Sequence, residues 1–292
     1  MTVFHELARG ATKAAGLGVG DIEVRAETLA LPAWPKSLSG LRLAVIADLH
    51  AGSPQIDEER IERIVDRVNR ESVDLVALLG DYIDTEVALS EWIEPERIAQ
   101  RLGQLQARLG VYAVLGNHDW AHAGARMCAA LRDARITLLE NQAVAVDARR
   151  MHARAAAGRS AAARRAGAAF WIAGLGDLMK RTADLEGTLA QVPLGQPVLL
   201  FSHNPDVFPR VPESVALTLS GHTHGAQVDI PVLRDRLTPS RFGARYTGGH
   251  IEEGGRHLYV SDGIGTSRLP IRFRAKPEIP VLELQTWTSD SL

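Results

Sequence analysis

A single cysteine, Cys128, stands in the chain, so no internal disulfide can staple it, and a metal or redox centre has to be built from other residue types. Net charge is scarce as well. Thirty-three Lys and Arg face 35 Asp and Glu, leaving −2 with histidine neutral, so no global basic field draws the protein to nucleic acid or anionic lipid. Apolar runs long enough to span a bilayer are absent, since a spanning helix needs about 20 residues. The N-terminal stretch 1–20 ends rich in Ala and Gly, but Lys13 interrupts it and no twin-arginine pair precedes it. We read it as a short N-terminal segment and keep a trimmed or degenerate export signal open.

What is present is a globular composition, 46% hydrophobic and 23% charged, in 292 residues. Apolar runs of strand length recur at 41–47, 73–79, 111–115, 170–175, 197–201, 215–219, 258–260 and 279–284. Runs that are continuously apolar suit strands buried on both faces. Between them, 57–70 puts Ile61, Ile64, Val65 and Val68 on one helical face, with Asp57 placed to cap it. Pro95 and Glu96 open a second helical pattern over 95–108, and 124–133 and 182–191 are weaker helical candidates. Strands alternating with helices predict an α/β class with largely parallel sheets, and the closer spacing of the later strands predicts some antiparallel pairing there.

One stretch departs from this pattern. Residues 148–169 are biased to Ala and Arg and carry six arginines. We read them as a solvated insertion between two strands, helical or disordered. The functional alternative is a basic flap that meets a phosphate-rich substrate or a membrane surface. No aromatics nearby could stack bases, so a single-strand nucleic-acid platform is not expected.

The polar residues fall where the apolar runs end. Asp48-Leu49-His50, Gly80-Asp81, Gly116-Asn117-His118-Asp119, Ser202-His203-Asn204 and Ser220-Gly221-His222-Thr223-His224 each follow such a run. Ligands of open α/β sheets bind outside the carboxyl ends of the strands, so the five clusters are expected to converge. Imidazole suits zinc, iron and similar ions, while carboxylate and amide oxygens add capacity for manganese or magnesium. Seven donor groups are too many for one tetrahedral ion, and two ions sharing one carboxylate fit better. Gly80, Gly116, Gly221 and Gly225 let the backbone turn sharply beside them.

The ordered set D-x-H, GD, GNHD, a lone His and GHTH, from Asp48 to His224, resembles the calcineurin-like metallophosphoesterases. The likeness extends over roughly residues 40–285. It implies a four-layer α/β/β/α sandwich with mixed sheets. It also implies an N-terminal segment with a lead-in strand at 1–39 and a single catalytic domain at 40–292 that carries the 148–169 insertion. Carried over by motif position, Asp48, His50, Asp81 and His224 hold one metal. Asp81, Asn117, His203 and His222 hold the other, with Asp81 bridging. His118 faces the substrate as the catalytic residue, and Asp119 fixes its ring orientation. Ala226 departs from the pattern, because close relatives often have a second glycine there.

The chemistry implied is hydrolysis of a phosphate ester by in-line attack of a metal-bridging hydroxide, with ions about 3.5–4 Å apart and His118 protonating the leaving oxygen. Manganese is the first expectation for the two divalent ions, then iron, zinc or cobalt. "SHNPD", "SGHTHG" and "GIGTS" resemble a bacterial branch related to phosphodiesterases and to enzymes acting on UDP-2,3-diacylglucosamine. A diester, in particular a lipid-linked nucleotide, is therefore the expected substrate. A phosphomonoester or a nucleotide diester is the alternative, and a non-catalytic, metal-braced protein-binding module is the alternative of another class. No nucleic-acid partner is expected. A cytoplasmic or peripheral-membrane location is expected, with export kept open. His5, His122, His152, His250 and His257 read as surface or structural, and Tyr82, Asp84, Asn204 and Asp206 as turn-forming or supporting neighbours of the ligands.

Overall fold

The structure is a computed structural model that describes residues 20–84, 86–87, 89–153 and 169–287. Residues 1–19 and most of the Ala/Arg-rich stretch, 154–168, lie outside the described residues, and with them the reading of that stretch as a flap.

Twelve strands are described. They are β1 (Glu23–Leu31), β2 (Leu41–Ile46), β3 (Leu75–Leu78), β4 (Val111–Ala113), β5 (Thr137–Leu138) and β6 (Gln142–Asp147), followed by β7 (Ala169–Gly174), β8 (Val198–Phe201), β9 (Val215–Ser220), β10 (Gly249–Glu253), β11 (Arg256–Val260) and β12 (Glu278–Thr286). They form two six-stranded sheets, ordered β1-β12-β2-β3-β4-β5 and β10-β11-β9-β8-β7-β6. β2 to β5 run parallel, as do β7, β8, β9 and β11. Antiparallel pairs occur at β12–β2, β6–β7 and β10–β11. Both sheets are therefore mixed.

The alternation within the strands explains the layering. In β2, Leu41, Leu43 and Val45 point between the sheets, where they meet Phe170, Ile172, Leu199, Phe201 and Leu217. Ala44 and Ile46 point the other way, onto a helical layer. That layer is fed by helix Glu58–Arg70, whose buried face is Ile61, Ile64, Val65 and Val68. Asp57 caps it by accepting the Arg60 N–H at 2.7 Å. Helix Pro95–Leu102 lies in the same layer and ends earlier than the 95–108 pattern suggests. The chain passes into tight turns after Gly103, and Leu105 reaches the core from a turn. Helix Gly124–Asp133 follows the expected bounds.

The fourth layer, on the outer face of the second sheet, is thin. Helix Leu185–Leu189 and the 3-10 turns Pro205–Arg210 and Gly243–Tyr246 cover Ala173, Val198 and Leu200 with Leu185, Val207, Phe208 and Tyr246. The fold is thus an α/β/β/α sandwich. Because β2, β3, β4, β8 and β9 all lie in parallel runs, their carboxyl ends open at one edge of the two stacked sheets. No helix among the described residues is long and apolar enough to cross a membrane.

Candidate metal centre

The turns that follow the strands are strained in the same way. Asp48, His50, Asp81, His222 and His224 all hold positive φ, between 47° and 72°, a region that residues with side chains rarely enter. Hydrogen bonds between the turns hold them there. The Asp48 N–H donates to the Gly80 carbonyl at 3.0 Å, the His50 N–H to the Asp81 carbonyl at 2.9 Å, and the Gly221 N–H to the His203 carbonyl at 3.0 Å. Each of these residues leaves its strand with its side chain turned toward the same point. Ala226 also sits at positive φ, 63°, so an alanine takes the left-handed turn at the position where relatives often have glycine.

The donors meet in two groups. Asp48, His50 and His224 form one, and Asp81, His203 and His222 the other, with all the donor atoms of each group within 4.8 Å of one another. His50 Nε2 lies 3.2 Å from His224 Nε2, and His224 Nε2 lies 3.4 Å from Asp48 Oδ1. His203 Nε2 lies 3.1 Å from Asp81 Oδ2 and 3.2 Å from His222 Nδ1. Asp81 Oδ2 also lies 3.8 Å from His50 Nε2 and 4.0 Å from His118 Nε2, so this carboxylate stands between the groups. Asn117 lines the same cavity, and its Oδ1 is buried without a hydrogen-bond partner.

This donor set fits divalent cations. Ring nitrogens facing each other at 3.2 Å repel unless a proton or cation lies between them, and the mixture of imidazole with carboxylate and amide oxygen suits a borderline divalent ion. Burial and the neighbouring His203 push His222 down to about 3, and burial with His50 and Arg272 holds His224 well below its ordinary value. Both rings therefore keep free lone pairs at neutral pH. Burial would lower His203 too, but the Asp81 carboxylate lifts it to about 10. Burial would raise Asp81, but His203, His118 and His50 hold it well below the carboxylate range.

Two glycines make room for the carboxylates. A Cβ on Gly116 would fall 2.1 Å from Asp81 Oδ1, and one on Gly221 would fall 2.4 Å from Asp48 Oδ2. Neither residue needs a positive φ. The reason for glycine there is space, not a turn.

A second layer of groups fixes the ring orientations. His203 Nδ1–H donates to the Leu79 carbonyl at 2.8 Å, leaving Nε2 free. His50 Nδ1 faces Asp84 Oδ1 at 3.6 Å. Asp84 is buried and braced by the Ser90 hydroxyl and by the N–H groups of Glu86 and Val87. Buried Arg272 lies behind His224, with Nη2 at 3.4 Å from its Nδ1, and is anchored on the carbonyls of Gly265 and Asp262 at 2.8 Å.

One expected role is corrected. Asp119 does not orient His118. Its Oδ2 accepts the N–H groups of Asp81 at 2.8 Å and Gly116 at 3.0 Å, and its Oδ1 accepts those of Tyr82 at 2.8 Å and Ile83 at 3.3 Å. The carboxylate is the backbone clamp of the Asp81 turn. The group facing His118 Nδ1 is Glu86, with Oε1 at 3.8 Å, and His122 lies in the same cluster. Asp84, which reads from the sequence as a turn-forming or supporting neighbour, faces a ring, whereas Glu86 and Arg272 are not singled out there and His122 reads as surface or structural. The one available signal was the four-residue spacing of His118 and His122 on helix Asn117–His122. Asn204 instead caps a turn by accepting the Asp206 N–H at 2.9 Å, and the Tyr82 hydroxyl donates to the Val114 carbonyl at 2.8 Å.

Above the donors opens a cavity of about 540 Å³. Asp81, Asn117, His118, His222 and His224 form its floor, and Arg236, Arg241 and Arg268 stand in its wall. No described carboxylate pairs with these three arginine side chains.

Comparison with known proteins identifies the family. Residues 41–148 match the calcineurin-like phosphoesterase family. An uncharacterized metallophosphoesterase of Bacillus subtilis, YkuE, is 31% identical over 97% of this chain and 95% of its own length. A zebrafish transmembrane protein with a metallophosphoesterase domain is 29% identical over 91% of this chain, which spans 57% of that protein. Phosphodiesterase YaeI of Escherichia coli is 29% identical over 72% of this chain and 70% of its own. The chain belongs to the calcineurin-like metallophosphoesterases and is, as a member of that family, a metal-dependent phosphoric ester hydrolase.

Proposed function

We propose that this protein is a dinuclear phosphodiesterase. The observation that carries the reading is Asp81, a single buried carboxylate standing between two donor groups on the floor of an open cavity. Asp48, His50, Asp81 and His224 would hold one divalent ion, and Asp81, Asn117, His203 and His222 the other, with manganese as the proposed metal. When bound, such ions supply charge for the phosphoryl oxygens and make water acidic enough to attack at neutral pH.

The chain's own residues do the rest. Asp48 and Asp81 contribute two negative charges, fewer than two divalent ions bring, so the floor attracts an anionic ester. His118 turns Nε2 to the floor while Glu86 faces Nδ1, so the Nε2 proton is the one presented to the leaving oxygen. Asp119 keeps Asp81 in place through the backbone. Arg236, Arg241 and Arg268 offer anion contacts beyond the reacting phosphorus, which suits an ester with a second, charged substituent. A nucleotide-linked lipid such as UDP-2,3-diacylglucosamine is the proposed form of that diester, supported by the likeness of "SHNPD", "SGHTHG" and "GIGTS" to the bacterial branch. We take residues 40–292 as one catalytic domain with 1–39 as its lead-in.

The test is hydrolysis of bis(p-nitrophenyl) phosphate against p-nitrophenyl phosphate by the manganese-loaded protein. Faster diester turnover, lost on His118→Asn, is expected. Faster monoester turnover makes the protein a phosphomonoesterase. Turnover of neither, with any divalent metal, leaves a metal-braced binding module.

A further inference from the structure

The wall of the cavity rises into a collar that is apolar and basic at once. Six large apolar side chains that are exposed lie between residues 232 and 273: Val232, Leu233, Leu237, Phe242, Leu269 and Phe273. Met179, 58% exposed, lines the same cavity as Leu237 and Leu269. Scattered apolar residues on a surface need no explanation, but Met179, Leu237 and Leu269 stand in the cavity lining itself, and Val232, Leu233, Phe242 and Phe273 belong to the same two chain segments as Leu237 and Leu269.

The collar is built, not frayed. Gln227 ties its two halves together: its Nε2 donates to the carbonyls of Ser267 and Leu269 at 3.0 and 2.9 Å, and its Oε1 accepts the Ser267 N–H at 2.7 Å. The Phe273 N–H donates to the Gln227 carbonyl at 2.8 Å, and the Asp229 N–H to the Phe273 carbonyl at 2.9 Å. Asp206 holds the far side by accepting the Ser240 hydroxyl at 2.5 Å and the Arg241 N–H at 2.9 Å. At the tip, residues 231–237 are all exposed, with Val232 at 87%.

Charge chooses the occupant. Of the arginines in 228–245, Arg234 pairs with Asp229 and Arg245 with Glu253, which leaves exposed Arg236 and Arg241 against Asp235, and 266–274 adds exposed Arg268 and Arg274 with no acid, while Arg272 is buried behind His224. A second copy of the chain docked symmetrically on this face would set arginine against arginine. An anionic lipid surface meets both features, since apolar tips enter the acyl boundary while arginines stay at the headgroups.

We propose that this collar seats the protein on an anionic lipid surface, with the cavity mouth at the interface, so that the phosphate ester reaches the metal centre from the membrane. The second part of that statement rests on the phosphodiesterase reading; the first does not. The whole-chain charge of −2 hides this patch, because the excess of arginine is local.

The test is co-sedimentation of the full chain with vesicles of phosphatidylcholine alone and of phosphatidylcholine mixed with phosphatidylglycerol. It compares the wild type with a Val232→Glu/Leu233→Glu variant, two exposed residues away from the cavity floor. Binding to the mixed vesicles is expected. It should weaken at about 1 M salt, where the screening length falls to about 3 Å, and fall at least about tenfold in the variant. Circular dichroism and hydrolysis of water-soluble bis(p-nitrophenyl) phosphate should be unchanged in the variant. The proposal is overturned if the wild type stays in the supernatant. Equal binding by the variant overturns it too, because the contact then lies elsewhere, as in the arginines of 148–169. A wild-type dimer that the variant abolishes in sedimentation velocity also overturns it. Collar-dependent vesicle binding without hydrolysis by either protein would leave the membrane contact standing and remove only the catalytic reading.

Discussion

The Asp119 carboxylate accepts the Asp81 N–H at 2.8 Å and so fixes the residue that stands between the two donor groups. Burial and the neighbouring Asp81 charge lift the Asp119 carboxyl to about 7, and its amide donors pull the other way. All of its described partners are N–H groups, an arrangement that fits the ionised form. Asn at this position would point two N–H bonds at amides that need an acceptor. Asp119→Asn is expected to lower stability by about 2–5 kcal/mol and to weaken metal binding, read by thermal melts and metal titration. Full metal affinity with only a change in leaving-group dependence would instead make Asp119 the partner of His118.

Glu86 is the carboxylate that faces His118 Nδ1, and it is partly exposed. Glu86→Gln should therefore lower kcat by about tenfold with little change in KM. The loss should be larger for alkyl esters than for p-nitrophenyl esters, whose leaving group needs less protonation. An equal loss for both ester types would deny Glu86 a part in orienting the acid.

The adjacency of His118 and Asp119 in sequence is what made them look like a pair. In the fold they are successive residues of helix Asn117–His122, and side chains one apart on a helix point about 100° apart. Asp119 turns back to the Gly116 amide in the manner of a capping residue, and His118 turns into the cavity. The side chains of the two donor groups were legible as candidates because each follows a buried apolar run, where the strand itself sets direction. Glu86 and Arg272 were not, because nothing local tells which distant ring a loop carboxylate or guanidinium will face, and for the same reason Asp84 was legible only as a neighbour of the donors. The polar strand β10 and the two-residue β5 escaped for a related reason, since neither is a continuous apolar run.

Gly221 packs against the Asp48 carboxylate, and an added Cβ would also lie 2.8 Å from the Ala47 Cβ. Gly221→Ala should displace Asp48, cost about 1–3 kcal/mol in stability, and weaken one of the two metal sites by about 10–100-fold. Isothermal titration would show one weakened site beside one of near wild-type affinity. Two unchanged sites would mean that Asp48 is not a ligand.

Glu278, outside the two donor groups, gives a pH dependence of stability. Burial and the nearby Asp262 lift its carboxyl from 4.5 to about 7, against the Asp262 N–H and Arg25, which favour the ionised form. A carboxyl raised in the fold binds its proton more tightly folded than unfolded. Its contribution is therefore fully present below 4.5 and is lost as pH rises to about 7. Glu278→Gln should remove that loss, so the variant gains on the wild type by up to about 3 kcal/mol between pH 4.5 and 7. Denaturant melts across that range would show it, and a constant difference between the two proteins would contradict it.

The central claim is that Asp81 serves both donor groups while Asp48 serves one. The direct measurement is metal content per chain, by inductively coupled plasma mass spectrometry after manganese loading and desalting, for the wild type, Asp48→Asn and Asp81→Asn. The account predicts two ions in the wild type, close to one in Asp48→Asn and close to none in Asp81→Asn, with diester turnover lost in the last. If Asp81→Asn keeps as much metal as Asp48→Asn, the carboxylate is not shared and the dinuclear account is wrong.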